Sequence, residues 1–331
     1  MSTVSPPPDR RRRPRDYPLP DHGISGARLR RRVSANDLRH AVSNGFLRRV
    51  AHDLYVPHHG PASAEESAQQ TLRALTADTS RVVGHETAAA LWGFPGFGLD
   101  APYHLVHPRR RSRTRHSGLV ISHNADVAEE FISLSHGLQL TSPAWTWTDL
   151  ALKRSLLDGL ILADQALRPP RPEYESRTSA LAHHAELALA VKARGRVNGV
   201  RRLRSIQQLA RVGADSPMET ALRFSMHQAG LPEPAVNEWL CDERGNRVVQ
   251  PDLSIWDYRV AIQYEGWEFH SAAGQMLKDV RRQEDTEALG WLEVRITKEH
   301  MRSRAAAAVA KIARALRSQG WRCPSTFGHA L

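Results

Sequence analysis

The sequence predicts an α+β protein made of three folded segments, and three observations carry that reading. Residues 251–265, PDLSIWDYRVAIQYE, alternate apolar and polar side chains on either side of a turn, the period of a paired β-strand. Residues 24–60 read as two short helices followed by a basic hairpin. Between these two regions, strand-like runs at Tyr103–His107 and Leu119–His123 lie among helical stretches, the pattern of a middle α/β domain.

The chain has 331 residues, a length that suits two or three domains, and 41% of them are hydrophobic, enough for a sizeable core. A formal net charge of +11 favours a polyanionic partner, for which nucleic acid is the commonest choice. Two cysteines, Cys241 and Cys323, make neither a metal spacing nor a disulfide framework, so a reducing cytoplasm is expected. No run of about 18 uncharged apolar residues exists to span a membrane. The N-terminus is charged and proline-rich, unlike a secretory signal.

Taken in order, residues 1–23 are too polar to fold and form a disordered basic arm. Arg10 to Arg13 and Arg15 either meet phosphates or are simply solvated. In 24–60, Ser25–Arg32 is a short helix. Ser34 caps a second helix, with Asp37 three residues on. Ala35, Leu38, Ala41 and Val42 give that helix its apolar face and leave Asn36, Arg39 and His40 mostly off it. Gly45 ends it, and Phe46–Val56 forms a hairpin carrying Arg48 and Arg49. This is the pattern of a winged helix-turn-helix, with the helix in a major groove and the wing on the backbone. A helix-turn-helix used only for packing is the alternative. The segment resembles the N-terminal domain of AbiEi-type abortive-infection antitoxins, which implies DNA and a cognate toxin as partners.

Residues 61–168 resemble the domain that follows in those antitoxins, through HETAAALWGF at His85–Phe94, TSPAWTWTDLA at Thr141–Ala151 and LADQALR at Leu162–Arg168. The family usually has Arg where this chain has Trp145. The loop RRRSRTRH contains Arg109, Arg110, Arg111 and Arg113 and repels itself unless screened. Phosphate contact is favoured over a merely solvated loop. His85 reads as a helix-start residue, because no second ligand lies at metal spacing. Residues 169–180, PPRPEYESRTSA, read as a linker, and Leu181–Ala214 as a basic helical stretch, so 169–214 connects the middle domain to the last one.

The last segment, 215–331, opens with Ser216 and Pro217 at a helix start and Glu219 in the first turn. Met218, Leu222 and Met226 form the apolar stripe of that helix. A strand at Trp239–Cys241 and a turn at Asp242–Asn246 lead to the Asp252 strand. In the following strand Val260, Ile262 and Tyr264 share one face, while Ala261, Gln263 and Glu265 share the other. The turn is expected to bring Asp252 and Glu265 together. Two carboxylates on rigid strands suit a hard cation such as Mg²⁺. A helix at Gln275–Leu289, a strand with Leu292, Val294 and Ile296, and a closing amphipathic helix at Arg302–Gly320 complete the order.

Over roughly 215–300 this order resembles the PD-(D/E)XK nuclease superfamily, in its short variant related to very-short-patch-repair endonucleases. The residues that carry the resemblance are SPMETALR, PD at Asp252, QYEG, WEFH, KDVRRQ and GWLEVRIT. It implies a restriction-endonuclease-like domain with a central mixed sheet and Mg²⁺- or Mn²⁺-dependent hydrolysis of DNA phosphodiester bonds. Glu219, Asp252 and Glu265 would hold the metal. Gln263 stands where the family usually has Glu, as a neutral ligand or water orienter, and Glu265 where it usually has Asp or Lys. His270 would act on the water or the leaving group, or else simply pack. Arg282 or Lys278 would replace the motif lysine. The alternative is a non-catalytic, antitoxin-type DNA-binding regulator with a degenerate nuclease fold, and Gln263 is the feature that favours it.

Overall fold

In the computed structural model, which describes residues 23–57, 63–77, 79–108, 118–265 and 272–322, helices and mixed sheets interleave along the chain in an α+β architecture. The chain divides into two units. One takes Met1–Thr87 with Gly98–Leu140, and the other takes Ala88–Phe97 with Thr141–Leu331.

The first unit begins with β1 (Ile24–Ser25), α1 (Gly26–Leu29), α2 (Ala35–Ser43), β2 (Leu47–Ala51) and β3 (Leu54–Pro57). Ser34 caps α2 by accepting the Asp37 amide at 3.1 Å, and Gly45, at φ +73°, lets the chain turn out of it. Leu29, Leu38, Ala41 and Leu47 form one small core. The strands pair in the order β1-β3-β2. The far side of β3 is covered by α3 (Ala64–Thr76), whose Ala74 packs with Leu54 and Val56. The hairpin end of the 24–60 segment thus packs on α3 through Leu54 and Val56. Next come β4 (Val82–Val83), α4 (His85–Trp92), β5 (Tyr103–Pro108), β6 (Val120–Ala125), β7 (Ile132–Ser135) and β8 (Leu138–Thr141). They form a five-stranded sheet in the order β6-β5-β4-β8-β7, in which β5–β6 and β4–β8 run parallel and β4–β5 antiparallel. His136 and Gly137, both at positive φ, make the two-residue turn between β7 and β8.

The second unit opens with a helical layer: α5 (Pro143–Ala151), α6 (Leu156–Leu167), α7 (His184–Ala193), α8 (Val200–Leu209) and α9 (Pro217–Gln228). Helix α6 is buried along most of its length. Gly159 lets it pack closely, because a Cβ there would sit 2.6 Å from Ile206. Buried ion pairs fix the layer. Arg194 binds Asp149 and lies 3.8 Å over the Trp145 ring. Arg223, 1% exposed, meets Asp164, 0% exposed, at 2.9 Å.

After α9 come β9 (Ala235–Val236), β10 (Leu240–Cys241), β11 (Arg247–Val249), β12 (Leu253–Ile255), β13 (Val260–Glu265), α10 (Ala272–Ala288), β14 (Leu292–Thr297) and α11 (Arg302–Ser318). The sheet order is β14-β13-β12-β9, with β10–β11 a separate hairpin. Helix α10 is the crossover that parallel β13 and β14 require. One sheet face presents Leu253, Ile255, Val260, Ile262, Val294 and Ile296 to Leu222 and Met226 of α9 and to Val309, Ile312 and Leu316 of α11. Each such side chain contributes about 1.5–3 kcal/mol on burial. The other face is left for the polar residues described next.

The stretch 169–180, expected to be a linker, lies inside this second unit and is held by charge. Arg168 grips Glu175 through two bonds of 2.6 and 2.7 Å, Arg177 reaches the same carboxylate, and Arg171 pairs with Asp215.

Candidate functional site

Strand register builds the site. Leu253 pairs with Ile262 and with Val236, so Asp252 falls opposite Gln263 on one side and Asn237 on the other. Gln263 in turn pairs with Arg295 of β14. Asn237, Asp252, Gln263 and Arg295 thus form one row across four strands, on the face away from the core.

Asp252 is the centre of the row. Its Oδ2 accepts the Tyr264 amide at 2.6 Å and its Oδ1 the Gln263 side-chain amide at 3.0 Å. Burial and the negative charge of Glu219 push its carboxyl up to about 7, against the opposing pull of the Tyr264 amide and Arg282. Glu219 lies in the first turn of α9, 6% exposed. Ser216 caps that helix by accepting the Glu219 amide at 3.3 Å. Burial raises the Glu219 carboxyl as well, while its bonds to the Asp215 amide and to Asn237 oppose that.

Asn237 joins the two acids, and the sequence reading missed it. Its side chain donates to Glu219 at 2.9 Å and to the Gly213 carbonyl at 2.8 Å. Its amide donates to the Asp252 carbonyl at 3.0 Å, and its carbonyl accepts Gln250 at 2.7 Å. It adopts φ +50°, a left-handed conformation that a non-glycine residue takes only where its surroundings fix it. Nothing in the local pattern around Asn237 signals this, because the role depends on strand register.

The register sets Glu265 diagonal to Asp252 on the same face, not directly opposite it. The register gives Asp252 the partner Gln263, and Glu265, one step further along the same face, lies 3.6 Å from Arg295. Arg295 also bonds Glu293 at 2.7 Å, and Arg282 approaches Glu293 at 3.7 Å. Glu293 and Arg295 were legible in principle. Leu292, Val294 and Ile296 alternate along the strand, which leaves Glu293 and Arg295 on the other face. His270 and the Lys278 side chain lie outside the described residues.

In the first unit, Asn36, Arg39 and His40 are exposed on α2, and Arg48 and Arg49 are exposed on β2. As neighbours on a strand, the two arginines point to opposite faces. Arg109, Arg110, Arg111 and Arg113 lie outside the described residues, as does the arm up to residue 22. His85 does begin α4, and its ring lies 3.7 Å from that of His123 and 5.9 Å from that of His104. Glu86 stands 3.0 Å from His104, which holds its carboxyl down to about 2. The His85 and His123 rings are tilted by 32°, and the His123 Nε2 lies 3.0 Å from the His104 Nδ1.

Among the described residues no group of three or more His, Cys, Asp or Glu side chains is arranged to hold a metal ion. Two carboxylates, Asp252 and Glu219, are close enough for one to raise the other. That fits Mg²⁺, which is commonly held by one or two carboxylates with waters and substrate phosphates filling the rest.

No family model matches the chain. It is 30% identical over 280 residues to two proteins of Mycobacterium tuberculosis, covering 83% of this chain and 94% of each of them. They are uncharacterized protein MT2308 of strain CDC 1551 / Oshkosh and uncharacterized protein Rv2248 of strain ATCC 25618 / H37Rv. The chain belongs to the Rv2248 family. With 94% of Rv2248 aligned, the family likeness takes in nearly the whole of that relative. Among the described residues, no helix is long and apolar enough to cross a membrane.

Proposed function

We propose that this protein binds DNA and hydrolyses its phosphodiester bonds with Mg²⁺ or Mn²⁺. One observation carries the reading: partial burial, together with the negative charge of nearby Glu219, pushes the Asp252 carboxyl up to about 7. Like charges held this close are unfavourable unless a cation or a proton relieves them. They sit where the resemblance to PD-(D/E)XK nucleases places metal ligands, ahead of a β13–α10–β14 crossover that supports the same comparison. When bound, the ion supplies water activation and charge stabilisation at the leaving oxygen. Asp252 and Glu219 would hold it, while Gln263 fixes the orientation of Asp252 through its amide. Arg282 lowers the local negative potential. The basic arm, the exposed α2 residues and the Arg109–Arg113 loop would bring in the duplex, and a cytoplasmic place beside the chromosome follows from that role.

A second reading is a DNA-binding regulator of the antitoxin type, with a toxin as partner and a degenerate nuclease fold. It is favoured by Gln263, which brings no charge, and by Glu265, which pairs with Arg295. Incubating purified protein with supercoiled plasmid and Mg²⁺ or Mn²⁺ separates the two. Nicking that disappears in both Asp252→Asn and Glu219→Gln supports the hydrolase. Duplex binding with no cleavage under either metal supports the regulator.

A further inference from the structure

Between Glu186 and Asp215 the chain carries seven Lys or Arg residues and no Asp or Glu. Helices α7 and α8 and the turn that joins them occupy this stretch. Three of the seven cations hold the fold. Arg194 pairs with Asp149, Arg202 reaches the Leu152 carbonyl at 2.6 Å, and Arg211 binds the Gln208 carbonyl at 2.9 Å and Glu233 at 3.2 Å. The other four, Lys192, Arg196, Arg201 and Arg204, are exposed, and none makes a side-chain hydrogen bond or ion pair with another described residue. Arg201 and Arg204, three residues apart, share one face of α8 with exposed Gln208. The opposite face, with Leu203 and Ile206, is fully buried. The acids of α6 and α7, the helices packed against α8, are engaged elsewhere. Asp158 accepts Ser155 at 2.7 Å, Asp164 pairs with Arg223, and Glu186 accepts the His183 amide at 2.7 Å.

We infer that Lys192, Arg196, Arg201 and Arg204 form a docking surface for the phosphate backbone of duplex DNA. Exposed like charges repel one another, and a run without acids keeps that cost until a polyanion or salt screens it. Guanidinium groups match phosphate oxygens through paired N–H bonds. A duplex offers one negative charge per about 1.7 Å of its axis, so cations spaced along a helix find partners without any base being read. An anionic membrane is the poorer fit, because a helix lying on a membrane needs an exposed apolar face, and α8 has buried its own. The surface and the Asp252–Glu219 pair belong to the same unit. Helix α8 ends at Leu209, and the Gly213 carbonyl accepts the Asn237 side chain that also binds Glu219. Helical rise to Leu209 and extended chain beyond it put Arg204 at most about 22 Å from Gly213, a span of about six base pairs. This inference rests on the reading of the protein as one that acts on DNA, and it adds a sequence-independent grip on the backbone in the unit that holds the acids.

The test is binding of the full chain, in EDTA and across a salt series, to two fluorescent duplexes of unrelated sequence, read by anisotropy. The variants are Arg201→Gln with Arg204→Gln and, in the turn, Lys192→Gln with Arg196→Gln. Arg314→Gln with Arg317→Gln is the control: it removes the same charge from exposed positions on α11, a helix that packs on the core face of the sheet. Thermal melting checks that each variant folds. Losing two phosphate contacts should make the salt slope shallower by about 1.8 and weaken binding about 60-fold at 0.1 M salt, equally for both sequences. The control should bind as wild type does. Wild-type affinity in both test variants, an equal loss in the control, or a loss seen on phosphatidylserine vesicles or polyglutamate but not on duplex each overturns the surface. Wild type that binds no duplex removes the DNA reading and the surface with it. Binding that follows the expected pattern in a protein that cuts no DNA keeps the surface and removes the hydrolase reading.

Discussion

Asp252 is where the chemistry and the stability of this protein pull apart. Folded Asp252 titrates at about 7, above the ~3.9 of an unfolded aspartate. The native state therefore holds its proton more tightly. In metal-free buffer, stability should fall as pH rises from about 4 to about 7 and then level off. Asp252→Asn removes that fall. The variant is expected to match wild type near pH 4 and to exceed it by about 2–4 kcal/mol at pH 8, read from urea unfolding. An equal gain at both pH values would mean that charge is not the cause. Asn237 gives a second residue-scale test. Asn237→Gly loses the bonds to Glu219 and Gly213 but suits the φ of +50°. Asn237→Ala loses the same bonds and keeps the strain, so it should be less stable than the glycine variant by about 1–2 kcal/mol. Equal stabilities would show that the left-handed backbone there stores nothing.

At the scale of elements, the packing of α9 on α6 turns on one buried ion pair. Asp164 accepts Arg223 and Thr220 at 2.9 Å each and the Arg211 amide at 2.8 Å. Arg223→Ala strands that carboxylate and should cost about 3–5 kcal/mol. Arg223→Met combined with Asp164→Leu should recover most of the loss, since apolar replacement of a buried pair is often neutral. If the double variant unfolds as readily as the single one, the pair is not what fixes α9. The elements themselves were largely legible in the sequence. Period-two alternation marked β12, β13 and β14, Ser34 and Ser216 marked helix starts, and Gly45 marked a helix end. What stayed hidden depends on partners far along the chain. Gln263, not Glu265, stands directly opposite Asp252, because register, not proximity to the turn, decides which residues face each other. The histidines at 85, 104 and 123 meet only because three separate elements assemble. The proline-rich stretch 169–180 looked like a linker because composition does not reveal that Arg168 and Arg171 find Glu175 and Asp215.

At the scale of the molecule, a chain of net charge +11 concentrates negative charge at one buried place. The acid pair sits at the sheet of the second unit. A carboxyl raised by burial and by a neighbouring carboxylate is a cation site in waiting or a proton-holding group, and these alternatives differ in what Mn²⁺ does. The most direct measurement is a calorimetric Mn²⁺ titration of wild type and Asp252→Asn at pH 6 and pH 8. A carboxyl that titrates at about 7 must lose its proton before it can hold the ion, so wild type should bind several-fold tighter at pH 8 than at pH 6. The variant should bind at neither. Wild type that takes up no Mn²⁺ at either pH, or Asp252→Asn that binds as well as wild type, would contradict the account.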